Sequence, residues 1–162
     1  MSHKLFQYVA KGNYTAFKKF LSEQKNHEGI DENVVVYIYT TYQGKWVTTL
    51  LSHLKPSSEQ VVHAILTYQP QSVVEQWKKK WGITEDDAIA VMRDGSRLEV
   101  QKLIKVLSSK ISVATEMEML KRDDIDLLRA WILKFGVLEM DSEILLNDEQ
   151  RLQSLLRYYM QM

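Results

Sequence analysis

Large apolar residues recur in this chain about every 27 positions, and that recurrence narrows the possible folds more than any other feature. With Val100 as reference, the counterparts are Phe17, Val47, Val74, Leu128 and Leu152, successive members lying 30, 27, 26, 28 and 24 residues apart. Three positions later come Phe20, Leu50, Trp77, Leu103, Trp131 and Leu155. Eight positions before the reference come Val9, Tyr39, Leu66, Met92, Leu120 and Ile144. A further column, four after the reference, runs Leu21, Leu51, Lys78, Ile104, Ile132 and Leu156, and only Lys78 breaks it. Offsets of zero, three and four share one face of an α-helix. A fixed period of this length is the mark of stacked supersecondary units.

The breakers obey the same period. Gly12, Gly44, Pro70 and Gly95 fall inside each unit, while Gly29, Pro56, Gly82 and Gly136 fall between units, so every Gly and Pro is expected in a loop. Ser58 with Glu59 marks one helix start, and Thr84-Glu85-Asp86-Asp87 marks another by placing acids in a first turn. Asp123-Asp124 and Asp148-Glu149 do the same for later second helices. The pattern predicts six helical hairpins over residues 3–22, 32–54, 58–81, 85–107, 113–135 and 141–160. Valine and tyrosine enrichment around 34–42 would suit a strand, but the repeat phase runs through it and predicts helix. No linker interrupts the array, so one all-α domain over 1–162 is expected, an α-solenoid with a continuous core. Asp141 and Glu143 replace apolar residues in the last hairpin, as suits a terminal repeat facing water.

Met92 through Ile104, with its Asp94-Gly95 turn followed by Val100, Leu103 and Ile104, resembles the ankyrin helix–turn–helix. Lys11-Gly12-Asn13 before Phe17, Phe20 and Leu21 matches the same frame, and Arg122-Asp123-Asp124 before Leu128 matches it more loosely. The chain departs from that family in three ways. No T-P-L-H stretch opens a unit, no finger closes one, and the period is roughly six residues shorter than ankyrin's. The bulky Tyr8, Ile38, Ile65, Val91 and Met119 also stand where ankyrin repeats carry small residues. The resemblance extends to other helical-hairpin solenoids, such as the zigzag repeats of clathrin and vacuolar-sorting subunits. It implies a solenoid without β-hairpin fingers, and binding of proteins.

Formal charge balances at 21 Lys and Arg against 21 Asp and Glu, so no global charge calls for nucleic acid or an anionic membrane. The halves differ: residues 1–81 carry ten basic against six acidic residues, and 82–162 carry eleven against fifteen. Opposite ends of that kind lead us to expect a monomer that self-associates weakly at low salt, with the apolar Tyr158-Tyr159-Met160 tail near the junction. The chain has no cysteine, hence no disulfide and no thiolate metal site. Polar residues interrupt the first apolar positions, and no apolar run nears the ~20 residues of a membrane span. An intracellular, cytoplasmic protein is the expectation.

Motifs for chemistry are sparse. His3, His27, His53 and His63 lack metal-binding spacing. The carboxylates at Glu85-Asp86-Asp87 and Asp123-Asp124 sit at helix starts, where the dipole accounts for them. No cofactor is expected, and we expect no enzyme. Lys78, Lys79 and Lys80, flanked by Trp77 and Trp81, form the one basic-aromatic cluster, and nucleic-acid binding there is the alternative reading; a small all-α enzyme is a further alternative. The favoured reading is a protein-binding scaffold. Stacked hairpins expose a surface along their first helices where side chains are free of the core. Counting back ten, seven and six positions from the reference places Gln7, Lys11, Tyr37, Thr41, Thr67, Tyr68, Arg93, Asp94, Glu118, Lys121 and Arg122 on that surface.

Overall fold

Backbone geometry follows the capping and loop residues. A computed structural model describes residues 3–122 and 124–136, and among them every regular element is helical. The α-helices are α1 (Lys4–Ala10), α2 (Tyr14–Ser22), α3 (Glu32–Thr41), α4 (Lys45–His53), α5 (Glu59–Tyr68), α6 (Gln71–Trp81), α7 (Glu85–Asp94), α8 (Arg97–Val106), α9 (Val113–Lys121) and α10 (Ile125–Phe135). They pair as the period predicts. A short 3₁₀ helix, Gln24–Gly29, follows the first pair and was not foreseen; it takes in Gly29, which the sequence had assigned to a loop. The predicted sixth hairpin, the tail and Asp123 lie outside the described residues.

The ambiguous segment around 34–42 is α3. Asp31 accepts the Asn33 amide at 2.8 Å and caps the helix, and Ile38 and Tyr39 disappear into the core. Helix propensity penalises Val and Tyr by only tenths of a kcal/mol per residue. Burying two large side chains is worth roughly 1.5–3 kcal/mol each, so packing wins. Other starts are capped as expected. Ser58 accepts from the Val61 amide, and Thr84 with Asp87 forms a reciprocal capping box. Ser96 with Glu99 forms a second box, and Asp124 receives two amides of α10. Each such cap contributes about 1 kcal/mol.

Two glycines do different jobs. Gly12 takes φ +70, and the Asn13 amide reaches back to the Tyr8 carbonyl while that of Gly12 reaches Val9, a Schellman ending that an L side chain would strain. Gly95 has an ordinary negative φ, but a Cβ there would meet the Val91 carbonyl oxygen at 2.6 Å. The turn between α7 and α8 needs glycine for space, not for handedness.

The chain divides at the Gly82–Ile83 junction into two compact units. In the first, α1 packs on α3 and α3 on α5, while α2 packs on α4 and α4 on α6, giving a layer of first helices and a layer of second helices. Phe17, Val47, Val74, Leu50, Trp77, Leu51 and Leu66 are fully buried between them. Phe20 is only half-buried. In the second unit α7 packs on α9 and α8 on α10, around Met92, Val100, Leu103, Leu128 and Trp131. Side-chain hydrogen bonds link residues one period apart. Within the first unit Gln69 donates to the Tyr39 carbonyl at 2.6 Å, Gln76 to Thr48 at 3.1 Å and Trp81 to Leu51 at 2.7 Å. Within the second, Arg122 donates to the Met92 carbonyl at 2.9 Å and Lys134 to that of Ile104. The Tyr39, Leu51, Met92 and Ile104 carbonyls lie in the last turns of their helices, where no intrahelical donor exists.

Candidate functional site

In the first unit the candidate residues fall on three neighbouring helices. Gln7 and Lys11 are exposed at the end of α1, Tyr37 and Thr41 are exposed on α3, and Tyr68 is exposed on α5, with Thr67 half-buried beside it. Tyr37 leaves 38% and Tyr68 49% of its surface in water, the only aromatic side chains among the described residues to expose so much. Exposed aromatic surface is costly to leave bare, and tyrosine is enriched among residues that anchor interfaces.

Tyr37 is also one ring in a longer aromatic run. Its centroid lies 5.2 Å from Phe6 and 6.0 Å from Tyr42; Tyr42 is 6.2 Å from Trp46, and Trp46 is 5.5 Å from Tyr14. The Lys45 ammonium sits 4.6 Å above the Tyr14 ring, within cation–π range. Burial first, and then the neighbouring Tyr37 phenol, raise the Tyr42 pKa, so this phenol stays neutral at physiological pH. The sequence reasoning named Tyr37 but missed Phe6, Tyr14, Tyr42, Lys45 and Trp46. The density of rings in Tyr37, Tyr42 and Trp46 was a usable signal, but the hairpin turn brings them into one run only in three dimensions.

In the second unit the candidates are largely engaged with one another. Arg93 pairs with Asp94 at 2.9 Å, and Lys121 with Glu118 at 3.2 Å. Arg122 is half-buried, its guanidinium on the Met92 carbonyl, so it ties α9 to α7 and is not a free surface group. The period located these residues at helix ends without saying what they would meet. Among the described residues the acid buried most deeply is Glu116, fully inaccessible, with Trp131 Nε1 donating to it at 3.0 Å and Lys110 Nζ at 3.3 Å.

The lysine cluster occupies the last turn of α6, where cations complement the helix dipole. Lys79 and Lys80 are exposed and Lys78 half-buried. Trp77 is fully buried and offers no stacking platform, whereas Trp81 is half-buried, its indole N–H on the Leu51 carbonyl and the Lys80 ammonium 5.5 Å from its ring centroid. Positive charge does concentrate nearby: burial, then His27, Lys80 and Lys18, push the His53 pKa below its usual value. Among the described residues there is no group of three or more His, Asp or Glu suited to a metal ion, and no helix is long and apolar enough to cross a membrane. No family model matches the chain, and no curated protein or solved structure does so.

Proposed function

We propose that the chain is a helical-repeat interaction module, a solenoid of ankyrin-like hairpins without fingers, which binds another protein along its first-helix surface. The observation that carries this reading is the exposure of Tyr37 and Tyr68 on adjacent first helices, Tyr37 being also a ring of the aromatic run. The chain works on this reading as a cytoplasmic binding protein, not as an enzyme.

The test is affinity capture from native-cell extract with three baits: the wild-type chain, a Tyr37→Ala/Tyr68→Ala variant, and a variant with Lys78, Lys79 and Lys80 all changed to Glu. The reading expects partners that the lysine variant retains and the tyrosine variant loses. Partners retained by the tyrosine variant would refute the choice of face. Binding to short DNA or RNA that falls steeply between 50 and 200 mM salt, and is lost in the lysine variant, would favour the nucleic-acid reading instead.

A further inference from the structure

A cleft of about 150 Å³ opens in the first unit where the 3₁₀ helix, the start of α3 and the α4–α5 loop meet. That is roughly the volume that accommodates one benzene-sized ring. Ile30, Val35 and Leu54 make its walls apolar, and its polar lining is His27, Glu32, Tyr39, Lys55 and Ser57. It lies apart from Tyr68 and from the aromatic run.

The hydrogen bonding of these groups is lopsided. Tyr39 is buried; burial alone raises its pKa, and its hydroxyl makes no hydrogen bond with any described residue. Val35 and Glu32, one and two turns earlier on α3, line the same cleft, and side chains on a helix lean toward its N-terminus, so the hydroxyl end of Tyr39 faces into it. Lys55 is exposed and, like Ser57, has no hydrogen-bond or ion-pair partner among the described residues. Three donors without a protein partner therefore line a cleft of mixed polar and apolar character. The acceptors are fewer. Glu32 already receives the Ser58 hydroxyl. His27 Nε2 contacts the Leu21 carbonyl at 2.6 Å; a carbonyl only accepts, so this nitrogen carries the proton.

We propose that this cleft binds a small organic monocarboxylate with an apolar body. Its oxygens accept from the Tyr39 hydroxyl, Ser57 and Lys55, and its hydrocarbon part lies against Ile30, Val35 and Leu54. Lys55 and Glu32 leave the lining with no net formal charge, so one added negative charge is the most it accommodates. The Glu32 carboxylate disfavours a dianion such as phosphate, and the apolar walls disfavour a fully hydrated ion. Tyr39, kept protonated by its burial, offers a donor in a low-dielectric position, where an unmet hydrogen bond is most costly and a new one worth most.

The test titrates the full chain with benzoate and with isovalerate, read by calorimetry and by backbone amide chemical shifts. The controls are benzyl alcohol and inorganic phosphate. A ligand of this size is expected to bind with a dissociation constant of about 1 mM or tighter. Shifts should centre on residues 27–39 and 54–61. Lys55→Met and Tyr39→Phe should each weaken binding roughly fivefold or more. Lys55 is exposed, and Tyr39→Phe keeps the ring, so both variants should retain the wild-type spectrum without ligand. The proposal is overturned if neither carboxylate saturates, if benzyl alcohol or phosphate binds as tightly, or if both folded variants bind like wild type.

Discussion

Removing a single oxygen atom should stabilise this protein. Tyr39 is 1% exposed, and its hydroxyl has no hydrogen-bond partner among the described residues. A hydroxyl sealed from water without a partner carries a desolvation penalty of ~1–3 kcal/mol, and the Tyr39 oxygen, which still touches the cleft, carries the lower part of it. Tyr39→Phe removes the penalty and leaves the ring packing intact, so it should raise unfolding free energy by about 1 kcal/mol. For a protein of this size that is a rise in Tm of about 2–4 °C. The pH dependence supplies a second signature. Burial raises the Tyr39 pKa above 10, so the folded state resists ionisation while the unfolded chain ionises near that value. Wild-type stability from this group is intact below pH 10 and lost as pH rises beyond it. The advantage of Tyr39→Phe should therefore widen above pH 10. Urea unfolding followed by circular dichroism between pH 7 and 11 measures both effects. A variant less stable than wild type by 1 kcal/mol or more at pH 7 would show that the hydroxyl is satisfied, and the reasoning would fail.

Three further outcomes are expected. Leu103→Ala and Trp131→Ala, both at fully buried positions, should cost roughly 2–5 kcal/mol in chemical denaturation, whereas Tyr37→Ala should cost under about 1 kcal/mol; equal losses would mean that the helical phase is wrong. Gly95→Ala should destabilise by about 1–3 kcal/mol, because its Cβ meets the Val91 carbonyl at 2.6 Å, and a Tm equal to wild type would refute the close approach. His53, its pKa lowered by burial and by His27, Lys80 and Lys18, disfavours protonation in the folded state; stability should fall as pH drops through 6.5 toward the lower folded value, and His53→Gln should flatten that decline in thermal melts, an unchanged acid slope counting against it.

Helix positions were legible in the chain because they rest on local physics. The apolar columns gave five hairpins whose limits match α1 to α10 closely, since a helix needs only its own periodicity, caps and breakers to declare itself. Even α3, rich in strand-forming residues, followed the repeat phase. The 3₁₀ helix at Gln24–Gly29 did not, because it carries no buried residue and so leaves no apolar mark. The exposed face was legible in part, for Tyr37 and Tyr68 are where counting along the helix put them.

What polar side chains do was decided by tertiary structure alone. Arg122 reads as a surface residue until the Met92 carbonyl, thirty positions away, is brought under its guanidinium. The Trp81 indole N–H finds its acceptor only when α4 offers the Leu51 carbonyl, and Glu116 looks like any helical acid until Trp131 and Lys110 enclose it. The same holds for Tyr39, whose ring belongs to the repeat while its hydroxyl belongs to a cleft built from three separate elements. Apolar burial is nearly non-directional and leaves a periodic trace in sequence. A hydrogen bond needs one partner at one distance and angle, and that partner is chosen only when the hairpins stack.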